Sequence, residues 1–137
     1  MKTMKFFSLF AVALCAVSAF AIQATYIQEG NSIDYTPSVA VSAGDVVVQG
    51  SVVAVAKAPI EASTVGAVAV SGVFDVEKST AAITAGAKIY WDADGSPYGG
   101  TVSNGCADAT STSDPVVGYA VEAAAISNTT VRVLLAR

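Results

Sequence analysis

The chain contains no histidine, few charged residues and no excess of basic side chains. Without histidine, a Ser-His-Asp or Cys-His catalytic centre, a His-ligated zinc ion and a histidine pH switch are excluded. Seven Lys and Arg against eleven Asp and Glu give a net charge of −4, so no basic surface is available to bind nucleic acid. Charged residues make up 13% of the 137 residues, against about 25% in an average soluble domain, while 53% are hydrophobic. This balance predicts one folded domain and excludes a disordered chain.

Several catalytic motifs are also missing. The sequence has no phosphate-binding Gly-x-x-x-x-Gly-Lys-Ser/Thr, no Gly-x-Ser-x-Gly and no Cys-x-x-Cys. The pattern Asp92-x-Asp94-Gly95 is similar to the start of a calcium loop, but Ser103 stands where an EF-hand needs a bidentate Glu, so we expect an ordinary turn. We predict that the protein is not an enzyme and that it has no catalytic, cofactor or metal site.

Two further carboxylates stand in a strand-like pattern. Asp75 and Glu77 alternate with apolar residues, which places both on the solvent face of a predicted strand. Paired carboxylates are used in acid–base catalysis, so a hydrolase using Asp75, Glu77 or Asp92 is the least favoured alternative.

Residues 1–21 have the pattern of a secretory signal peptide. Lys2 and Lys5 precede an uncharged apolar run that ends in Ala19-Phe20-Ala21, a small-x-small cleavage pattern. The run is shorter than the roughly 20 apolar residues of a membrane span, so we expect no stable membrane span. The alternative is an N-terminal extension of a β domain at residues 22–137. That domain retains only Cys106, which we expect to be a plain loop thiol without a disulfide.

Short valine-rich runs separated by glycine turns predict an all-β fold. Gln49-Gly50-Ser51 between two such runs is typical of a hairpin. We predict a small single-domain β-barrel or sandwich of short strands near residues 46–56, 67–76, 87–92, 116–121 and 130–135.

Two connecting segments and one short repeat complete this prediction. The polar segment 98–114 is predicted to be a long surface loop, and the alanine-rich segment 122–126 is the only helix candidate. Residues 42–45 and 84–87 share a [Ser/Thr]-Ala-Gly pattern typical of a tight turn, a similarity too short to establish an internal duplication.

The small number of charges favours an assembly component over an enzyme. Ala, Val, Ser and Thr must fill much of the surface, which suits a subunit packed among neighbours. The expected interface residues are Tyr26, Ile27 and Tyr35, near the start of the predicted mature chain, and Trp91. The alternative is that the first three belong to the first strand and that Trp91 belongs to the core.

A set of short segments in a fixed order carries a family resemblance. The segments are 26–31, 43–47, 53–57, 70–76, 85–92, 117–124 and 129–134. Over residues 24–137 they resemble the tailed-phage capsid cement, or head decoration, proteins. The resemblance implies a small β-barrel-like protein that binds the outside of an assembled phage head, reinforces joints between major capsid subunits and is often a trimer.

These considerations lead to one functional expectation and one alternative. We expect a non-enzymatic structural protein of the virion that lies on the outer capsid surface and binds the major capsid protein. We also expect it to form a homo-oligomer, with a trimer as the expected state. Because phage heads assemble in the cytoplasm, a functional signal peptide would conflict with this role. The alternative is an exported periplasmic or extracellular β domain that self-assembles or decorates a cell surface.

Overall fold

A computed structural model describes Ala24, Ile27 and residues 30–136, and the predicted leader lies outside these residues. They contain nine β-strands and a single 3-10 turn at Pro97–Gly99. The strands are β1 (Ser32–Tyr35), β2 (Val46–Gln49), β3 (Val52–Ala56), β4 (Gly66–Ala69), β5 (Val73–Glu77), β6 (Lys88–Asp92), β7 (Cys106–Asp108), β8 (Val116–Ala120) and β9 (Thr130–Leu135). Among the same residues, no helix is long and apolar enough to cross a membrane.

The strands form two antiparallel sheets that pack against each other. The first sheet has the order β1-β4-β3-β2, and the second has the order β5-β9-β8-β6-β7. The core between them joins Val53 and Val55 of β3 to apolar side chains of the second sheet, including Ile89 and Val133. The all-β prediction is confirmed, and of the two predicted architectures the sandwich is observed, because neither sheet closes into a barrel.

A second apolar cluster lies on the other face of the four-stranded sheet. It is formed by six buried residues, with three partly buried residues packed against it. The buried members are Val47, Ala54, Ala56, Ile60, Val68 and Val70. The four-stranded sheet is therefore apolar on both faces, which explains the near-continuous apolar sequence of β3.

Both sheets contain the same four-stranded arrangement. The order β1-β4-β3-β2 matches β5-β9-β8-β6, and β7 is an additional strand beside β6. An isolated antiparallel bridge precedes the second strand in each unit: Val41 pairs with Ile60 ahead of β2, and Ile83 pairs with Ala124 ahead of β6. The second sheet is thus a repeat of the first with one strand added at its edge.

The two [Ser/Thr]-Ala-Gly turns occupy equivalent places in these units. Gly44 and Gly86 both have a positive φ, +91° and +80°, which glycine adopts without the strain that a Cβ introduces. The Gly44 N–H donates to the Ala56 carbonyl at 2.6 Å, and the Gly86 N–H donates to the Ala120 carbonyl at 2.8 Å. The [Ser/Thr]-Ala-Gly similarity in the sequence therefore marks equivalent turns of a repeated structural unit.

Three features differ from the sequence prediction. Region 67–76 divides at Gly72, where φ is +116°, into β4 and β5, which belong to different sheets. The predicted loop 98–114 contains β7, which pairs with β6. The helix candidate 122–126 contains no helix, because Ala124 instead forms an antiparallel bridge with Ile83.

Lys78 fixes the chain that follows β5. It forms a single parallel bridge with Ala107 of β7, and its side chain is fully buried. Its ammonium group donates hydrogen bonds to the carbonyls of Ser79 and Ala81, both at 2.8 Å. A buried charge is costly unless it is hydrogen-bonded, so these contacts favour one conformation of the turn and help to position β7.

Candidate functional site

The three described members of the predicted interface set, Ile27, Tyr35 and Trp91, do not converge on one surface. Tyr26 lies outside the described residues, and Ile27 is 80% exposed. Tyr35 belongs to β1, is half-buried and packs against the second apolar cluster. Trp91 is only 9% exposed and belongs to the core between the sheets, on the opposite side of the four-stranded sheet. Of the three described residues, Ile27 alone projects freely into solvent.

The Asp75 carboxylate forms an ion pair on the solvent face of β5. Nε and Nη2 of Arg132 donate to its two oxygens at 2.9 and 3.0 Å, and Nη1 of Arg132 lies 3.4 Å from Glu122. The hydrogen bonds from Arg132 hold the pKa of Asp75 below its usual value. Asp75 and Glu77 are both exposed, as the strand alternation predicted, and Asp75 serves a surface ion pair.

The Asp92–Gly95 segment is a turn, as predicted. The Asp94 N–H donates to Oδ1 of Asp92 at 3.1 Å, and the Gly95 N–H donates to the Asp92 carbonyl at 3.2 Å. Such local bonds are typical of an Asx turn. Over the residues that the structure describes, no cluster of three or more acidic or cysteine side chains is arranged to hold a metal ion.

Cys106 lies in a strand, so its assignment to a loop was wrong. It begins β7 and is 2% exposed. Burial raises the pKa of its thiol, and the nearby Asp92 and Asp108 carboxylates add to the increase. The buried thiol is thus held in its unreactive protonated form.

An apolar row crosses the outer face of the five-stranded sheet. Val73 of β5 lies directly opposite Leu134 of β9, and Leu134 lies opposite Tyr119 of β8. These three side chains, which we call the apolar row, are 52%, 46% and 43% exposed, and Lys88 of β6 ends the row. Cross-strand neighbours of this kind form a continuous surface. Sequence reasoning missed the row, although the alternation along β9 already placed Leu134 outward.

A cleft opens where the edge of one sheet meets the edge of the other. It has a volume of about 660 Å³, and residues of β2 and β5 form two of its walls. The lining residues are Val41, Ala43, Gly44, Asp45, Val46, Val47, Val55, Phe74, Asp75, Val76, Glu77, Trp91, Asn104 and Gly105. We call it the edge cleft. Its charged lining residues are three carboxylates, so it combines an apolar wall with negative charge.

The comparisons with known proteins bear on these surfaces. The family model described as phage cement protein matches residues 27–135, a span that includes all nine strands. Comparison with curated proteins found no match, and neither did comparison with solved structures. The phage cement proteins are a structural family associated with the phage capsid. With most of its length and its whole sandwich covered by this match, the chain belongs to the phage cement protein family.

Proposed function

We propose that this protein decorates the outer surface of a phage head, binds between major capsid subunits as a homotrimer and stabilises the head without catalysing a reaction. Family membership supports a structural role on a capsid. The apolar row is the observation that carries the finer proposal, because it supplies a continuous apolar surface on the face of the sheet turned away from the core.

The size of the apolar row suits reversible docking on a repeated lattice. Full burial of one Val, Leu or aromatic side chain contributes about 1.5–3 kcal/mol. Since about half of each side chain in the row is still exposed, covering all three contributes about 2–4 kcal/mol per copy. In a trimer, three copies of the row would raise the overall affinity for the lattice, because the second and third contacts form at a high effective concentration.

A pelleting assay with assembled heads tests this proposal. Heads are assembled from the candidate major capsid protein, and bound protein is quantified after sedimentation. We expect Leu134→Lys to weaken head binding by about tenfold or more, because it places a charge in the middle of the row. The matched control is Val65→Lys, since Val65 is 66% exposed and lies outside the row.

The outcomes test the docking surface, the capsid role and the trimer separately. Leu134→Lys and Val65→Lys must both retain the melting temperature of the wild type, so that a loss of binding reports on the surface alone. If the two variants bind equally well, the apolar row is not the docking surface. If the wild type does not sediment with heads, the capsid role is wrong. Sedimentation equilibrium of the free protein tests the trimer, which a monomer at working concentration would contradict.

The proposal also includes a contact made by the N-terminal segment. Ile27 is 80% exposed and precedes β1, whereas Tyr35 is half-buried within β1. We expect Ile27→Ser to lower head binding at an unchanged melting temperature, because an exposed side chain contributes only when a partner covers it. Tyr35→Ala should instead lower the melting temperature, since it removes packing from the second apolar cluster.

The pattern of residues 1–21 supports a second candidate function. A basic start, an apolar run and a small-x-small site are typical of an exported protein, which here would be a β domain that self-assembles or decorates a cell surface. Mass spectrometry of the native protein distinguishes the two candidates. A chain that starts at Ile22 would establish cleavage and contradict assembly in the cytoplasm, whereas an uncleaved chain in purified virions would contradict export.

A further inference from the structure

The outer edge of β2 is open in the part of the chain that the structure describes. β2 pairs only with β3, through the register Val47 to Ala54 and Gln49 to Val52. The two-residue turn at Gly50 makes Gln49 and Val52 a hydrogen-bonded pair, so alternate residues bond to β3. The N–H and C=O groups of Val46 and Val48 therefore point away from β3, toward the open edge.

The second unit shows what occupies this position when it is filled. Counting from the equivalent glycines, Val46 corresponds to Lys88 of β6 and Val48 corresponds to Tyr90. Tyr90 lies opposite Asp108 of β7. The added strand β7 thus covers the edge of β6 at the place where β2 remains uncovered.

The other strands at the sheet edges carry features that hinder strand addition. β5 contains two carboxylates, β1 contains Asp34, and β7 is only three residues long. Charged and very short edge strands discourage pairing with another chain. β2 has four residues and no charge, so it is the edge strand best suited to accept a further strand.

The charge beside this edge indicates which strand would fit. Asp45, Asp75 and Glu77 line the edge cleft together with Val46. Asp75 is paired with Arg132, whereas Asp45 and Glu77 form no ion pair with a described residue. A partner strand with a Lys or Arg would neutralise this negative charge. A second copy would bring another set of the same carboxylates, on a chain whose net charge is already −4.

We propose that the open edge of β2 accepts an extended basic segment of a major capsid subunit as a fifth strand of the four-stranded sheet. The main-chain groups of Val46 and Val48 supply the hydrogen bonds, and the edge cleft receives a basic side chain. This arrangement is β-strand addition, in which backbone bonds give affinity and side-chain pockets give specificity. The choice of a capsid subunit as the source rests on the proposed function, whereas the strand chemistry rests on the edge and the cleft.

Hydrogen exchange followed residue by residue tests the backbone part on the full-length protein. The probe is the blocked peptide Thr-Val-Lys-Val-Thr, and its charge control is the same peptide with Gln in place of Lys. In the free protein, the amides of Val46 and Val48 should exchange much faster than those of Val47 and Gln49. At saturating Lys peptide, we expect the exchange of Val46 and Val48 to slow at least tenfold, with no change at the equivalent Tyr90.

Two substitutions test the same contact through affinity. Val48→Pro removes the outward N–H while leaving the bonds to β3 intact, and edge strands tolerate proline at such positions. We expect it to weaken binding of the Lys peptide about tenfold, whereas Val48→Thr, which keeps the N–H, should bind as the wild type does. Glu77→Gln should reduce the preference for the Lys peptide over the Gln peptide, which we expect to be about threefold in the wild type.

The outcomes distinguish this inference from the proposed function. Unchanged exchange at Val46 and Val48, or equal binding by Val48→Pro and Val48→Thr, would overturn strand addition even if the protein binds heads. Equal affinity for the two peptides would overturn the basic segment. Protection that depends on protein concentration without peptide would identify a second copy as the occupant and overturn the choice of partner. Protection of the same two amides on heads, lost with Val48→Pro but retained with Val65→Lys, would support the capsid as the source.

Discussion

Replacing Gly105 with alanine tests the position of Trp91 in the core. Gly105 has a φ of +82°, and a Cβ there would lie 2.5 Å from Cζ2 and 2.9 Å from Cε2 of Trp91. The left-handed backbone alone costs about 1–2 kcal/mol for a residue with a Cβ. Displacing a ring in a packed core adds about 1–3 kcal/mol. We therefore expect Gly105→Ala to lower the free energy of unfolding by about 2–5 kcal/mol.

Gly86→Ala is the matched control for this substitution. Gly86 has nearly the same φ, +80°, but no atom lies within 4 Å of a Cβ built on it. It should show only the backbone cost of about 1–2 kcal/mol, so the difference between the two variants measures the contact with Trp91. Urea unfolding followed by tryptophan fluorescence suits this comparison, because Trp91 is the single tryptophan of the chain. Equal losses in the two variants would refute the packing of Gly105 against the indole ring.

Three further predictions concern other parts of the sandwich. Asp75→Asn should change the urea midpoint only slightly at pH 7, because the ion pair with Arg132 is exposed. Since the pKa of Asp75 is lowered in the folded protein, the greater stability of the wild type is present above about pH 4 and is lost as the pH falls through the lowered pKa. A stability difference that grows in acid would contradict this assignment. Gly118→Ala should abolish the cooperative thermal unfolding measured by circular dichroism, because a Cβ would overlap the Leu134 carbonyl of the neighbouring strand. Unfolding like that of the wild type would show that β8 and β9 lie further apart. Cys106 should resist alkylation at pH 8 in the folded protein and react in urea, since burial raises the pKa of its thiol; rapid labelling of its tryptic peptide under native conditions would count against the buried position.

The strands with strong local signals could be predicted from the sequence. β2, β3, β8 and β9 are rich in β-branched residues and are bounded by glycine or small polar turns, which are local properties. β1 and β7 lack such signals, since Ser32–Tyr35 is half polar and Cys106–Asp108 has only three residues. Both are strands because distant partners pair with them, β4 in one case and β6 in the other.

The candidate surfaces were harder still to predict from the sequence, because they depend on which distant strands pair and in what register. Alternation along β9 shows that Leu134 points outward, but only the strand register places Val73 and Tyr119 beside it. Trp91 could not be assigned to the core or to an interface, because an aromatic residue in a short strand suits both. The open edge of β2 has no signature of its own, since strand order depends on how the two units fold and where β7 is inserted.

The repeated unit bears on whether the proposed strand addition at β2 would lead to polymerisation. Two sheets packed face to face have four edge strands, and a chain with two complementary open edges would add copies of itself indefinitely. Three of these edges carry charged residues or are very short, and β7 itself covers the edge of β6 that is equivalent to β2. In the proposed strand addition, β2 would accept a strand from a partner, and no other edge among the described strands is uncharged and long enough to continue the pairing. A partner that offers a basic strand gains both backbone bonds and charge neutralisation there, whereas another copy of this acidic chain gains the bonds but adds repulsion.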